Sequence, residues 1–101
     1  ASDVYKRQPE EFALGQNYPN PFNPSTQIRY ALPMQSKVTI VIYNMLGGKV
    51  RTLVNDYQDA GYRNILWNAT NDIGAPVSAG MYIYTIQAGE FRQTRKMVLL
   101  K

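Results

Sequence analysis

From residue 26 onward, apolar and polar positions alternate with a period of two in short runs separated by turn-forming residues, which predicts strands and no helix. Thr26 to Leu32 sets Ile28, Tyr30 and Leu32 on one face and Gln27, Arg29 and Ala31 on the other, so one side of this strand is expected to be buried. Lys37 to Tyr43 is almost continuously apolar and β-branched, the composition of a strand at the centre of a core. Gly47 and Gly48 supply the positive φ that a tight hairpin requires, and Lys49 to Val54 is predicted to return as its partner. Tyr62 to Trp67 follows a turn at Gly61 and stops at the loop Asn68 to Gly80, where Asn71, Asp72, Gly74, Pro76 and Gly80 accumulate. Met81 to Ala88 alternates Tyr82, Tyr84 and Ile86 against Met81, Ile83 and Thr85, and an Ala88-Gly89 turn sends the chain back as Phe91 to Leu100. Six or seven such runs spaced by turns predict an all-β antiparallel sandwich.

The entrance to the chain differs in character. Asn17-Tyr18-Pro19-Asn20-Pro21-Phe22-Asn23-Pro24 is rich in proline, which fixes φ and lacks a donor N–H, so this segment is excluded from the interior of a sheet. It is expected to run extended along the edge of the sandwich with Tyr18 and Phe22 packed inward. Residues 1 to 8 fit none of these patterns. Residues 1–11 are therefore set apart as a linker remnant or non-native tail, leaving 12–101 as one domain.

Composition narrows the function. A chain of 101 residues with 45% hydrophobic and 12% aromatic residues carries enough apolar material for one core and not for two. Cysteine is absent, which excludes disulfides, thiolate metal sites and a cysteine nucleophile; histidine is absent too, which removes the commonest general base and metal ligand. Asp56 and Asp59 are near neighbours in a predicted loop, where a pair of acids is ordinarily solvated, and no base is at hand to activate Ser25, Ser36 or Ser78. The chain is read as no enzyme, with no cofactor. Its net charge of +4 is scattered, with only Arg92, Arg95, Lys96 and Lys101 gathered at the end, so nucleic acid is not the expected partner. No apolar run approaches the roughly 20 residues that span a bilayer, so no membrane insertion is expected, and the domain is taken as a monomer.

Four stretches carry a family resemblance: Tyr18 to Pro24, Leu46-Gly47-Gly48-Lys49-Val50 through Leu53, Ala79-Gly80-Met81-Tyr82, and the terminal Arg95-Lys96-Met97-Val98-Leu99-Leu100-Lys101. In order, spacing and terminal placement they resemble the type A C-terminal sorting domain, or Por secretion tail, of the type IX secretion system in Bacteroidetes, over Phe12 to Lys101. The resemblance implies an immunoglobulin-like β-sandwich of about seven strands serving as a non-catalytic label on an upstream cargo domain. The label is recognised at the periplasmic side by the translocon, the protein crosses the outer membrane to the cell surface or is secreted, and a sortase-like protease often removes the label. Lys96, Met97, Val98, Leu99, Leu100 and Lys101 are then the expected recognition segment, whereas Pro19, Asn20, Pro21, Phe22, Gly47, Gly48, Val50, Gly80 and Tyr82 are family positions with a structural role. Relatives often carry Asp-Gly and further acids after the strand tryptophan; here the loop reads Trp67-Asn68-Ala69-Thr70-Asn71-Asp72, and a lone charged oxygen does not make a calcium loop.

Each feature also has a plainer explanation. The terminal lysines equally suit an edge strand protected against aggregation, and Tyr18 to Pro24 equally suits a structural edge closure or an extended recognition epitope. The eight tyrosines and Trp67 suit core packing with hydroxyls reaching water, or a sugar-stacking face. Two rival functions stay open at this point: an immunoglobulin-like structural module of the flagellar hook-capping type, similar around Gly48 to Leu53 and Gly74 to Tyr82, and an accessory carbohydrate-binding module.

Overall fold

The computed structural model describes residues 8–100. Seven strands follow one another, β1 (Ala13–Leu14), β2 (Thr26–Leu32), β3 (Ser36–Asn44), β4 (Lys49–Gln58), β5 (Gly61–Trp67), β6 (Gly80–Ala88) and β7 (Phe91–Leu99), and no helix occurs among the described residues. They form two antiparallel sheets, β1-β2-β5 and β4-β3-β6-β7, stacked as an immunoglobulin-like sandwich.

The period-two pattern decides which side chains fill the space between the sheets. Ile28, Tyr30 and Leu32 of β2 meet Val38, Ile40 and Ile42 of β3 and Tyr82, Tyr84 and Ile86 of β6, all within one buried cluster. Strand β3 lies between β4 and β6, the central place its apolar run predicts. Ala31 departs from the expected alternation and is buried on the outward series, because the register sets its methyl between Ala13 of β1 and Tyr62 of β5.

Beyond one-residue shifts at the strand ends, the end of β4, the last turn and the short β1 differ from the sequence expectation. Strand β4 runs on to Gln58 rather than ending at Val54, pairing Asp56, Tyr57 and Gln58 with Val38, Lys37 and Ser36, so Asp56 sits on a strand and not in a loop. Polar residues are tolerated there because β4 is an edge strand with a solvated side. Ala88 pairs with Phe91, so the tight turn is Gly89-Glu90, one residue later than expected. The two-residue β1 is too short to leave a periodic signal in the sequence.

Residues 8–11 of the segment set apart as a tail lie within the described chain, and Pro9 is buried; residues 1–7 lie outside it.

Candidate functional site: the last strand and its cover

Strand β7 forms one edge of the four-stranded sheet. Its alternation splits the expected recognition segment in two. Met97 and Leu99 point into the core and are essentially inaccessible, at 0% and 1% exposure, whereas Lys96 and Leu100 are exposed and Val98 is half-buried on the outer side. Lys101 lies outside the described residues.

An edge strand leaves every second residue's N–H and C=O pointing away from the sheet, open to pairing with another chain. On the last part of β7 these groups are taken by the entrance segment. Val98 N–H donates to Asn20 Oδ1 at 3.0 Å, Val98 C=O accepts from Phe22 N–H at 3.0 Å, and Leu100 N–H donates to Phe22 C=O at 2.8 Å. Gln16 Nε2 donates to the carbonyl of Lys96 at 2.8 Å, and Arg95 Nε donates to the carbonyl of Leu14 at 2.6 Å. Phe12 stacks on Phe91 with ring centroids 5.4 Å apart. Residues 12–22 therefore lie along β7 in the same direction, with Phe22 and Leu99 bridged in parallel.

Proline explains which residues do the bonding. Pro19, Pro21 and Pro24 have no N–H to give, so the pairing falls to the residues between and before them: Tyr18 exchanges both backbone bonds with Gln27, and Phe22 exchanges both with β7. The segment is bent rather than extended, with the Tyr18-Pro19, Asn20-Pro21 and Asn23-Pro24 bonds cis. Phe22 is buried as expected, but Tyr18 is 76% exposed and not packed inward. The reason is register. Tyr18 lies directly opposite Gln27, a residue on the outward face of β2, and directly opposed residues share a face.

Beneath the cover is a polar anchor that the sequence pattern did not single out. Asn17, 2% exposed, donates through Nδ2 to Thr26 Oγ1 at 2.9 Å and to the carbonyl of Pro19 at 3.2 Å. Thr26 Oγ1 donates to the same carbonyl at 2.8 Å. The Tyr84 hydroxyl accepts from Asn17 N–H and donates to the carbonyl of Gly15, each at 2.8 Å, tying β6 to the entrance. Burial pushes the Tyr84 phenol above its ordinary value, while the bond from Asn17 N–H and the nearby Arg95 charge pull the other way. The one available signal was an amide residue directly before the Tyr-Pro pair. Such residues are common in loops, and burial alone made this one structural.

Aromatic packing draws the distant family positions together. The Phe22 ring lies 5.8 Å from Trp67, and Trp67 meets Tyr82 edge-on at 5.4 Å. The Tyr82 hydroxyl donates to the carbonyl of Ser78 at 2.6 Å, and Trp67 Nε1 donates to that of Thr70 at 2.8 Å. Three of the four stretches, around Phe22, Tyr82 and Leu99, thus meet at one end of the sandwich, where Gly80 enters β6 with φ of 142°.

The fourth stretch builds the opposite edge. Of the glycine pair expected to supply positive φ, only Gly47 does, turning the β3–β4 hairpin at φ of 88°, and Asn44 Oδ1 accepts from the N–H groups of Leu46 and Gly48 at 3.0 and 2.9 Å. The register of β4 against β3 shifts twice, at Leu53 and at Val50. Asp72 covers this edge: its N–H donates to the carbonyl of Val50 at 3.1 Å and its Oδ1 accepts from Thr52 N–H at 3.0 Å. Among the described residues no three acidic, histidine or cysteine side chains converge. Tyr30, Tyr82 and Tyr84 are core residues as their alternation predicts, and the exposed Tyr18, Tyr57 and Tyr62 stand on separate parts of the surface.

Comparison with known proteins adds the biological context. The family model described as "Secretion system C-terminal sorting domain" matches residues 16–100. Among solved structures, dimeric latent PorU from Porphyromonas gingivalis is similar with a TM-score of 0.69 and 18% identity, over 91% of this chain and 10% of that one. PorZ, a surface component of the type IX secretion system of the same organism, is similar with a TM-score of 0.59 and 16% identity, over 91% of this chain and 12% of that one. The chain thus corresponds to about a tenth of each, and at these identities the likeness is one of fold. Among curated protein sequences none matches.

Proposed function

The chain belongs to the family of secretion system C-terminal sorting domains, and we propose that its sorting signal is the folded surface displayed by β7 rather than a linear peptide. The sorting unit runs from Phe12 to Lys101 and acts without catalysis. It is carried by an upstream cargo domain through the periplasm and read there, as a monomer, by the type IX translocon. A sortase-like protease then removes it, and the cargo is left at the cell surface or released.

One observation carries this reading. The last strand buries Met97 and Leu99, its open hydrogen-bonding groups from the Lys96 carbonyl to the Leu100 N–H are satisfied by Gln16, Asn20 and Phe22, and Lys96, Val98 and Leu100 remain outward. A partner approaching the folded domain meets those side chains and not a free strand edge, which argues against recognition by strand addition there.

The test is a reporter delivered to the periplasm of a type IX-competent host with Phe12 to Lys101 fused behind it. The fusion is expected outside the outer membrane. Deleting Lys96 to Lys101 retains it in the periplasm but also removes Met97 and Leu99 from the core. The deciding variant is therefore Lys96→Ser with Val98→Thr and Leu100→Ser, which leaves the core intact. Periplasmic retention of this variant at an unchanged melting temperature supports the reading. Undiminished export of the reporter with the whole domain removed ends it.

A further inference from the structure

The outer face of the four-stranded sheet is unevenly furnished. Alternation places Lys37, Thr39, Val41 and Tyr43 of β3 on it, with Met81, Ile83, Thr85 and Gln87 of β6 and Arg92, Thr94, Lys96 and Val98 of β7. The register turns these into rows across the sheet. One row reads Lys49, Tyr43, Ile83, Lys96, an aromatic and a branched aliphatic side chain between two lysines. The next pairs Met81 with Val98, and just past the ends of β3 and β7 stand Met45 and Leu100, 52% and 57% exposed. On the other side of the Lys49 row threonines predominate, with Thr52, Thr85 and Thr94 across the strands around the buried Val41 and the hydroxyls of Thr85 and Thr94 3.0 Å apart.

The apolar half is thus confined to the end of the sheet where the chain finishes, and it spans about three strand spacings, roughly 14 Å, between the two lysines. The charged strand residues of this face are Lys37, Lys49, Arg92 and Lys96, all cationic. The acidic side chains of β4 and its cover, Asp56 and Asp72, belong to the inward series and to the strand edge.

We propose that this half-face, centred on Ile83, Tyr43 and Met81 and flanked by Lys49 and Lys96, is the docking surface of the domain, and that its occupant is a protein surface with an apolar centre and a carboxylate rim. The proposal rests on the sorting function and extends the recognition site from the last strand to β3, β4 and β6. Charge selects the occupant. A second copy opposing the same face brings lysine against lysine, which disfavours self-association. Cations on both flanks of a flat apolar strip complement carboxylates set around an apolar patch, and paired charges at the rim of an apolar centre are the usual layout of a specific protein interface.

The test uses the same reporter fusion in the same host. Lys49→Glu lies on the far edge of the sheet from β7 and is exposed. Ile83→Thr keeps a β-branched side chain in a half-buried position. Leu66→Ser, on the exposed outer series of β5 in the other sheet, is the control. Lys49→Glu and Ile83→Thr are each expected to lower export at least about tenfold, the change that follows from losing roughly 1.4 kcal/mol of binding, with melting temperatures like that of the control. A benzophenone side chain at Met81, activated in living cells, is expected to give a protein adduct that the Lys49→Glu variant lacks, and none at Leu66. An adduct with lipid, an adduct of two fusions, adducts that do not distinguish Met81 from Leu66, or full export of both face variants each overturns the proposal. If the unaltered fusion is not exported, the sorting reading itself has failed, an outcome separate from all of these.

Discussion

The two edges of the four-stranded sheet face one hazard, unpaired backbone groups open to another chain, and meet it differently. At β7 a whole segment of backbone is laid against the strand, with Phe22 bonded on both sides and Asn20 and Gln16 filling between. At β4 one residue, Asp72, serves two groups, while shifts of register at Leu53 and Val50 and the polar run Asn55-Asp56 spoil the remainder as a template. The β7 cover is also a piece of the core, because Phe22 inserts its ring beside Trp67, whereas the Asp72 cover is superficial. An edge that must stay in one geometry is built into the hydrophobic interior; an edge that must only stay unpaired is dressed with polar groups.

That contrast breaks most visibly at Phe22. Phe22→Ala removes a fully buried ring and is expected to destabilise the domain by about 3–5 kcal/mol in urea unfolding. A loss below about 1 kcal/mol would mean that the cover is not part of the core. A smaller effect is expected from Asn20→Ala, which leaves Val98 N–H to water at an exposed site and costs about 0.5–1.5 kcal/mol. Amide exchange at Val98 should quicken while that at Ile40, in the central strand, does not; equal acceleration at both would refute a local cover. The smallest change belongs to Asp72→Ala, expected to cost about 1 kcal/mol or less with faster exchange confined to Thr52. If Asp72→Ala destabilised as much as Phe22→Ala, the two edges would not differ in the way described.

Strand assignments were legible wherever alternation was clean. Ile28, Tyr30 and Leu32, or Tyr82, Tyr84 and Ile86, alternate with polar or outward residues and are buried accordingly. The continuation of β4 through Asn55, Asp56 and Tyr57 was hidden because an edge strand with a solvated side needs no apolar run. The outward placement of Tyr18 is hidden in the sequence for a related reason. An aromatic next to proline reads as a packing residue, and its pairing with Gln27 turned it outward. Asn17 carried only its place directly before the Tyr-Pro pair, which does not reveal burial, since an asparagine in a loop and one at the centre of a buried network are the same letter.

The recognition segment shows the same division. Its residues were identifiable as a terminal strand, but the amino-acid order did not reveal that Met97 and Leu99 are inaccessible while Lys96 and Leu100 are presented, nor that β7 is the strand whose edge the entrance segment covers.

By itself the sequence determined the class of the fold, its core faces, the hairpin at Gly47 and the exclusion of the proline segment from a sheet, because these follow from period, β-branching, positive φ and missing N–H groups, all local properties. Only the tertiary structure decided that residues 12–22 lie along β7, that Phe22, Trp67 and Tyr82 meet, and that Lys49, Tyr43, Ile83 and Lys96 form a single row across four strands. Those are encounters between residues far apart in the chain, set by strand order and register, and local chemistry does not specify which distant strand becomes a neighbour.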